Sequence, residues 1–437
     1  MLLSFTIRNF RSIVNLTLDF TYGEGKAPNG HQQGELLPFI DTSAKERLVP
    51  CLAFFGANAS GKTNILKAMT AFKQFVTQGD APIVYFDPNL LNQAYHDTTF
   101  SLNFILNENK FEYTFVYDSG RILNELLKKN GRPLFEISDL KPKFSDQLSS
   151  QSQGYPKEKL ADILRVECSD GNGRQRKLFL HRIGLGYQGL NKDMKDSFDY
   201  IKDSLMILPN DAPVSLPASV NLLAPLLNNN KKTALAEITD IVRRLDIDIN
   251  DIDITWASVL PEAPPLTGEH RKKRWKIGSA NMPGNEEAII IDAFHENTEG
   301  QPVPLNFDLA ESAGTQRLAG LVGVFLYALK TGAALFVDEL ENSLHPLLMR
   351  ELVLLFKKRT RNEKGAQLIF TTHNTDILDD TILRLSEIAL TRKNLANGTM
   401  IRRLVDFKNA GEDIRNITNF RKQYLDGLYS GIPHPAL

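Results

Sequence analysis

The sequence predicts an α/β fold: a mixed sheet with helices and an antiparallel β subdomain, interrupted by a largely helical insertion. Two short and almost continuous apolar runs, at 49–55 and 333–339, are typical of strands buried on both faces. The segments at 2–8 and 14–20 alternate apolar and polar residues instead, which indicates half-buried antiparallel strands. From roughly 140 to 300 the composition shifts towards Lys, Asp, Ser and Gln, which indicates a separate segment.

These patterns divide the 437 residues into three parts, a number that the chain length allows. We predict a first lobe at 1–138, a mostly helical insertion with its own small core at 139–300, and a second lobe at 301–437. Within the insertion, the segments 193–206 and 231–245 have helical patterns.

The composition excludes several classes of protein. Cys51 and Cys168 are the only cysteines, too few for a disulfide framework or a CxxC zinc ribbon, and a reducing cytoplasm is the natural setting. The sequence has no apolar window long enough and free enough of charge to predict a membrane span, and its N-terminal segment does not have the pattern of a secretory signal. The net charge of −1 predicts no general attraction to nucleic acid, so any such contact must come from a local patch.

The segment Gly56–Thr63 satisfies the pattern GxxxxGK[ST], between a buried strand and a helical pattern. Its glycines let backbone N–H groups point inward around a phosphate at the positive end of the helix. Lys62 supplies charge to the β- and γ-phosphates, and the Thr63 hydroxyl is a ligand for Mg²⁺. The alternative is a glycine turn that merely starts a helix. We predict a phosphate-binding loop and a contact set of Gly56, Ala57, Asn58, Ala59, Ser60, Gly61, Lys62, Thr63 and Asn64.

Two carboxylates, Asp338 and Glu339, end the apolar strand AALFVDE. A buried strand of this kind delivers Asp338 beside the phosphate-binding loop, where it can hold Mg²⁺ through water. Glu339 is then placed to polarise the attacking water as the general base. The alternative is a strand-end turn with two solvated acids.

Ser312 and Gly314 lie at the start of a predicted helix, at 312–331. They offer a hydroxyl and backbone N–H groups to an anion. Because only this helix separates them from the strand at 333–339, they cannot easily reach the phosphate held by their own loop, but they can cap one held by a partner subunit. The alternative is an ordinary serine N-cap, which these residues taken alone favour.

His373 ends another apolar strand, QLIFTTH. A histidine there can hydrogen-bond the γ-phosphate or orient the water. A lone strand-end histidine is more often structural, so its assignment depends on the other motifs.

Together and in this order, these motifs resemble the ATP-binding-cassette class of ATPases, and within it the SMC-like and OLD-like branch. NFRS at 9–12, ESAGTQR, DELENSLHP, FTTHN and FRKQYLDGLYSGIP are similar to the motifs of bacterial AAA-type ATP-binding proteins of anti-phage and abortive-infection loci. The resemblance covers roughly 1–135 and 300–437. It implies an ABC-type P-loop ATPase head with ATP and Mg²⁺ as ligands, and the preference for ATP over GTP comes from it alone.

The resemblance also implies partners. Ser312 and Gly314 become a signature that closes over the ATP of a partner subunit, in a homodimer or a higher homo-oligomer. Residues Asn342 to His345 become the loop that crosses the interface, and His373 becomes the switch histidine. This group usually has an acidic residue where the chain has Ala313, which leaves a binding-only module with almost no turnover as a third interpretation.

A basic segment lies inside the predicted insertion. Its cations, beside the aromatic Trp275, are Arg271, Lys272, Lys273, Arg274 and Lys276. Such a segment can bind a phosphate backbone with the ring stacked on a base, bind an acidic protein, or be a solvated loop.

Two functions follow as hypotheses. The first is an ATP-binding and ATP-hydrolysing sensor of prokaryotic antiviral defence that controls a separately encoded effector, such as a TOPRIM-type nuclease. It rests on the motif set and on the short stretch after the last predicted strand, which leaves no room for a nuclease domain. The alternative is an SMC-like DNA-repair or DNA-end ATPase, which rests on the basic segment.

Overall fold

The computed structural model describes residues 1–23, 35–91, 94–145, 157–187, 191–210, 214–245, 248–257, 287–394, 396–407 and 420–427. The chain forms two compact units. The first comprises Met1–Ala212, Ala328–Asn342 and Met349–Leu437, and the second comprises Pro213–Tyr327 and Ser343–Leu348. The predicted boundaries at 138/139 and 300/301 remain a prediction, and these units group the chain differently.

The strands are β1 (Leu2–Phe10), β2 (Ile13–Asp19), β3 (Ile40–Asp41), β4 (Arg47–Leu48), β5 (Cys51–Phe55), β6 (Thr98–Leu106), β7 (Asn109–Tyr117), β8 (Ile122–Lys129), β9 (Arg132–Ser138), β10 (Lys141–Phe144), β11 (Leu205–Leu208), β12 (Asp251–Ala257), β13 (Glu287–Glu296), β14 (Pro302–Asn306), β15 (Ala334–Val337), β16 (Gln367–Thr371), β17 (Ile388–Asn394) and β18 (Gly398–Arg403).

The α-helices are α1 (Lys62–Gln78), α2 (Lys157–Glu167), α3 (Phe179–Gly186), α4 (Lys192–Asp199), α5 (Leu216–Leu223), α6 (Lys231–Arg244), α7 (Phe307–Ala310), α8 (Ala313–Thr331), α9 (Pro346–Lys357) and α10 (Phe420–Leu425). A π-helical turn spans Tyr200–Ser204, and short 3₁₀ turns span Pro82–Val84, Ala224–Leu227, Thr375–Ile377, Leu385–Glu387 and Leu404–Asp406. Among the described residues, no helix combines the length and the apolar character needed to cross a membrane.

The first unit is built on one large mixed sheet with the strand order β10-β9-β8-β7-β6-β1-β2-β18-β17-β5-β16-β15-β11. The strands from β17 through β5, β16 and β15 to β11 run parallel, and those from β10 to β2 pair antiparallel. Every residue of β5, β15 and β16 is buried, as expected for strands covered on both faces. The predicted α/β class with a mixed sheet and antiparallel strands is confirmed.

Helix α1 is anchored by an aromatic core on its inner face. Phe72 and Phe75 are fully buried and lie against Phe115, with ring centroids 5.6 and 5.2 Å apart. Phe5, which lies in β1, contacts Phe72 with ring centroids 5.4 Å apart. Because aromatic pairs of this kind contribute beyond the area they bury, they stabilise the packing of α1 against β1 and β7.

The region predicted as a helix at 193–206 divides into different elements. Helix α4 ends at Asp199, the π-helical turn follows, and Leu205–Leu208 form strand β11 at the edge of the large sheet. Residues 205–208 pair in parallel with Ala334–Val337 of β15. This long-range pairing outweighs the local helical pattern, so an apolar stretch of the insertion becomes part of the main sheet.

The second unit contains a three-stranded antiparallel sheet, β12-β13-β14, together with helices α5, α6 and α7 and most of α8. Two glycines of α8 permit close packing, since a Cβ at Gly320 would lie 2.5 Å from the carbonyl oxygen of Val214, and one at Gly323 would lie 2.5 Å from Cβ of Ser219. The Ser219 hydroxyl donates to the carbonyl oxygen of Gly320 at 2.6 Å.

Candidate active site

The phosphate-binding loop predicted at 56–63 joins β5 to α1 in a conformation that depends on glycine. Gly61, the N-cap of α1, has φ 105°, and Ala59 has φ 60°. A Cβ at Gly61 would lie 2.0 Å from Oγ1 of Thr399, so no side chain fits there. No side chain caps the N-terminus of α1. Backbone N–H groups at this helix start therefore suit a phosphate, as the sequence predicts.

Lys62 is buried at the centre of the loop. Its Nζ donates to the carbonyl oxygens of Gly56 at 2.8 Å and Ala57 at 3.1 Å. Burial lowers the pKa of Lys62, and the carboxylates of Glu341, Glu339 and Asp338, in that order, oppose this effect. The ammonium group thus faces a cluster of acids at the ends of the parallel strands.

Asp338 lies directly after β15 and is almost fully buried. Its Oδ1 accepts a hydrogen bond of 2.6 Å from the Thr371 hydroxyl and a long one of 3.4 Å from the Thr63 hydroxyl. A carboxylate beside a hydroxyl is a hard oxygen donor pair, the chemistry that Mg²⁺ prefers, and Mg²⁺ needs few protein ligands when phosphates and waters supply the rest. The residues therefore fit the metal ion predicted at Thr63 and Asp338.

Glu339 is held by residues that the sequence analysis did not single out as partners. Oε2 of Glu339 accepts a hydrogen bond of 2.6 Å from Nδ2 of Asn210, and Oδ1 of Asn210 accepts one of 2.7 Å from Nδ2 of Asn342. The main chain of Glu339 is left-handed, with φ 48°, and its N–H donates to the Thr371 hydroxyl at 2.7 Å. Asn210, Glu339 and Asn342 line a cavity of about 550 Å³ together with Thr63 and Asp338.

His373 and Glu341 connect the ends of the neighbouring strands β15 and β16. The main-chain N–H of His373 donates to Oε1 of Glu341 at 2.6 Å. Burial and the charge of Lys62 lower the pKa of His373, while Glu341, Glu339 and Asp338 raise it. The ring of His373 therefore shares its electrostatic environment with the loop lysine and the acids, which suits the role predicted for it.

Behind the phosphate-binding loop lies a network of hydroxyl groups. Oγ1 of Thr391 bonds to Oγ of Ser60 at 2.9 Å and donates to the carbonyl oxygen of Phe55 at 2.7 Å. Oγ of Ser12 bonds to Oγ1 of Thr399 at 2.7 Å and accepts from Nδ2 of Asn64 at 2.6 Å. The side chain of Asn64 is thus directed to this network. Ser12 belongs to the NFRS motif, the sequence signal that points here, whereas Thr391 and Thr399 carry no local signal.

Ser312 and Gly314 belong to the second compact unit. Oγ of Ser312 accepts the N–H of Thr315 at 3.1 Å, so Ser312 caps the start of α8, in line with the alternative that its sequence favours. A Cβ at Gly314 would lie 2.5 Å from the carbonyl oxygen of Ser343. Both residues are at least partly accessible, and their role towards a partner subunit stays a prediction.

The site residues of the first unit thus come together: Thr63, Asp338 and Glu339 line one cavity, and the charges of the two acids act on Lys62 and His373. The basic segment of Arg271, Lys272, Lys273, Arg274 and Lys276 lies outside the described residues. The same holds for Trp275 and for much of the C-terminal motif.

Comparison with known proteins assigns the chain to a protein family. Residues 51–379 match the family model described as "AAA domain, putative AbiEii toxin, Type IV TA system". No curated protein is similar enough in sequence to be counted as a match. Among solved structures, the SMC head domain from Thermotoga maritima is similar with a TM-score of 0.41 and 13% sequence identity, over 92% of this chain and 98% of that chain.

Proposed function

Because the chain belongs to the family of AAA domains described as putative AbiEii toxin, Type IV TA system, we propose that it is an ATP-binding and ATP-hydrolysing regulator of prokaryotic antiviral defence. The observation that carries the ATPase part is the convergence of Lys62, Thr63, Asp338 and Glu339 at one edge of a parallel sheet. This is the edge where ligands bind in open α/β sheets.

The residues divide the work of hydrolysis between them. Backbone N–H groups at the start of α1 and the Lys62 ammonium bind the phosphates of the substrate, ATP. Thr63 and Asp338 would hold Mg²⁺, which would neutralise charge on the phosphates. Glu339 accepts a proton from the attacking water, and Asn210 orients this carboxylate through its amide. His373 faces the same cluster and orients the water or the terminal phosphate.

The proposed assembly places part of each site on a second copy. Ser312 and Gly314 at the start of α8 close over the ATP of the partner subunit, and the loop Asn342 to His345 crosses the interface. The accessible position of Ser312 supports this proposal. A homodimer or higher homo-oligomer is therefore the proposed active form, in the cytoplasm.

Solution mass with and without ATP, for wild type and Glu339→Gln, tests the assembly. Removing the general base is expected to trap the ATP-bound state without weakening binding, so the variant gains mass with ATP. Ser312→Arg is expected to abolish this gain. If Glu339→Gln with ATP has the mass of the nucleotide-free chain, and Ser312→Arg changes nothing, the proposal of shared sites is wrong. Dimers with no measurable turnover in the wild type would indicate a binding-only module.

The defence role rests on the family description, which names a putative toxin of a Type IV TA system. We propose that this chain is the sensor and that a separately encoded effector, such as a TOPRIM-type nuclease, does the damage. The chain is then expected to co-purify with a neighbouring gene product and to show no nuclease activity when expressed alone. Nuclease or tRNase activity, or toxicity, of the isolated chain would contradict this division of labour.

The second candidate is an SMC-like ATPase that contacts DNA ends, and the basic segment at 271–276 favours it. It predicts that DNA stimulates ATP hydrolysis, and that neutralising Arg271, Lys272, Lys273, Arg274 and Lys276 removes the stimulation. Binding should weaken steeply with salt, because phosphate contacts release counterions. DNA binding that is absent, or insensitive to salt, argues against this candidate.

A further inference from the structure

The turn that follows β15 carries a third acid, Glu341, beyond the two that the ATPase reaction needs. Its Oε1 accepts the main-chain N–H of His373 at 2.6 Å. Because β15 and β16 are adjacent parallel strands, this bond ties the end of one strand to the end of the next. Glu341 thus fixes the segment on which His373 is presented to the site.

The second carboxylate oxygen of Glu341, Oε2, is not hydrogen-bonded as buried oxygens usually are. Among the residues that the structure describes, Oε2 of Glu341 is buried and has no hydrogen-bond partner. A buried acceptor without a donor is unfavourable, so native structures rarely keep one without a reason. Oε2 can therefore accept a donor that is brought to it by a rearrangement of the site.

A buried carboxylate elsewhere in the same unit gives the contrast. Glu125 receives four donors, with Tyr113 and Leu180 at one oxygen and Gln175 and Phe179 at the other. Such full pairing is not general in this unit, since Oε1 of the buried Glu387 also has no partner among the described residues. Glu341 differs from Glu387 in its place, because its charge acts on Lys62 and His373, so a partner for its second oxygen would bear on the site.

The electrostatic effects of Glu341 on its neighbours also indicate a role in the site. Of the carboxylates that act on Lys62, Glu341 has the largest effect, and it also acts on His373. Among the described residues, Nζ of Lys62 donates its hydrogen bonds to two carbonyl oxygens of its own loop, at 2.8 and 3.1 Å. Glu341 therefore lies where its second oxygen can gain a hydrogen-bond donor when Lys62 and His373 rearrange around ATP.

Resting on the ATPase function proposed above, we propose that Glu341 is a positioning residue that acts through His373 in the hydrolysis step. Its Oε1 anchors the main chain of His373, and its Oε2 is paired only when ATP is bound. No covalent step passes through Glu341, and its effect is on the arrangement of His373 rather than on ATP affinity.

The first measurement separates kcat from KM for ATP hydrolysis by the full-length chain. Glu341→Ala removes the anchor and is expected to lower kcat by about 10- to 100-fold, as misplacement of an active-site group does, with KM within about threefold. Glu341→Gln keeps an oxygen that accepts the His373 N–H and is expected to recover most of kcat. Glu363→Ala, at an exposed acid that precedes β16, is the control and should match the wild type.

A second measurement probes the hydrogen bond between the His373 N–H and Glu341 directly and does not depend on ATP hydrolysis. Amide hydrogen exchange of the segment 371–375 is compared with and without ATPγS and Mg²⁺. Nucleotide should slow exchange at His373 in the wild type and in Glu341→Gln, and this slowing should be lost in Glu341→Ala. A purely structural role would instead raise exchange in Glu341→Ala by the same factor with and without nucleotide.

The outcomes that overturn the inference are distinct from those that overturn the ATPase function. Wild-type kcat in Glu341→Ala, or equal losses of kcat in the Ala and Gln variants, refutes the anchoring role. If Glu341→Ala does not fold, Glu341→Asp, which withdraws the oxygen by one methylene, must show the same loss of kcat. A wild type that binds ATPγS but never hydrolyses ATP refutes the proposed function, and the exchange experiment then still decides the anchor.

Discussion

Asn210 donates a hydrogen bond of 2.6 Å from its side-chain amide to Oε2 of Glu339, the carboxylate proposed as the general base. Asn210 comes from the chain segment after β11, whereas Glu339 follows β15, and the two strands are parallel neighbours. Asn342 completes the arrangement by donating to Oδ1 of Asn210 at 2.7 Å. The region predicted as an insertion thus supplies, just after β11, a hydrogen-bond donor to the carboxylate proposed as the base.

We expect Asn210→Ala to lower kcat for ATP hydrolysis by about tenfold, because Glu339 loses the donor that fixes its carboxylate. ATP affinity should change by less than about twofold, since the side-chain hydrogen bonds of Asn210 go to Glu339 and Asn342 and not to the phosphate-binding loop. Asn210→Asp should be worse than Asn210→Ala, because it places a second carboxylate against Glu339. Steady-state kinetics measure this, with Asn15→Ala, at an exposed position of β2, as the control. Unchanged kcat in both Asn210 variants would remove Asn210 from the site.

We expect Lys62→Ala to weaken ATP binding by at least about tenfold, the effect of losing one charge-assisted hydrogen bond to a phosphate. The same substitution leaves the carbonyl oxygens of Gly56 and Ala57 without the donor they now have at 2.8 and 3.1 Å. Titration with a fluorescent ATP analogue measures the affinity. Lys232→Ala, at an exposed lysine of α6, should bind as the wild type does. Equal affinity in the Lys62 variant would contradict the assignment of the loop.

Gly61→Ala tests whether the hairpin of β17 and β18 fixes the phosphate-binding loop. A Cβ at Gly61 would meet Thr399 at 2.0 Å, and φ of 105° is unfavourable for any L side chain. We therefore expect a lower melting temperature and weaker ATP binding than in the wild type. Gly186→Ala is the matched control, because a Cβ there meets open space and the residue ends helix α3. It should leave stability unchanged or raise it by up to about 1 kcal/mol. A Gly61→Ala variant as stable as Gly186→Ala would show that the loop is not held by Thr399.

The parts of this fold that are readable from the sequence are those encoded locally. The run at 49–55 followed by Gly56–Thr63 predicts strand, loop and helix within one segment, and β5 and α1 occupy those places. The parts that were missed depend on distant pairing. Nothing in Leu205–Leu208 distinguishes a strand from the end of the preceding helix until β15 is available as a partner. Asn210 could therefore not be assigned to the site from its own neighbourhood.

The hydroxyl network behind the loop was missed for a related reason. Thr391 and Thr399 are ordinary residues of strands, and their contacts with Ser60 arise only because β17 pairs with β5 and β18 with β17. Ser312 presents the opposite case. The sequence predicts either a helix cap or a phosphate contact for Ser312. The structure shows the cap, in which Oγ of Ser312 accepts the N–H of Thr315. The measurement of solution mass tests the phosphate contact with a partner subunit.

Glu125 makes the stability of the first unit depend on pH. Burial raises its pKa from 4.5 to about 7, although four hydrogen bonds to the carboxylate act in the other direction. Since the folded-state pKa lies above the unfolded one, the folded state binds the proton more tightly. The stabilising contribution is therefore fully present below pH 4.5 and is lost as the pH rises through about 7. The whole shift corresponds to about 3 kcal/mol at 1.36 kcal/mol per unit.

We accordingly expect the wild type to lose up to about 3 kcal/mol of unfolding free energy between pH 4.5 and 8, relative to Glu125→Gln, which cannot titrate. Urea denaturation at a series of pH values measures the difference between the two proteins, so that contributions from other groups cancel. Glu136→Gln, at a partly buried acid of β9, is the control and should follow the wild-type curve. If the difference between wild type and Glu125→Gln is independent of pH, the four donors keep Glu125 ionised throughout, and burial does not dominate its proton affinity.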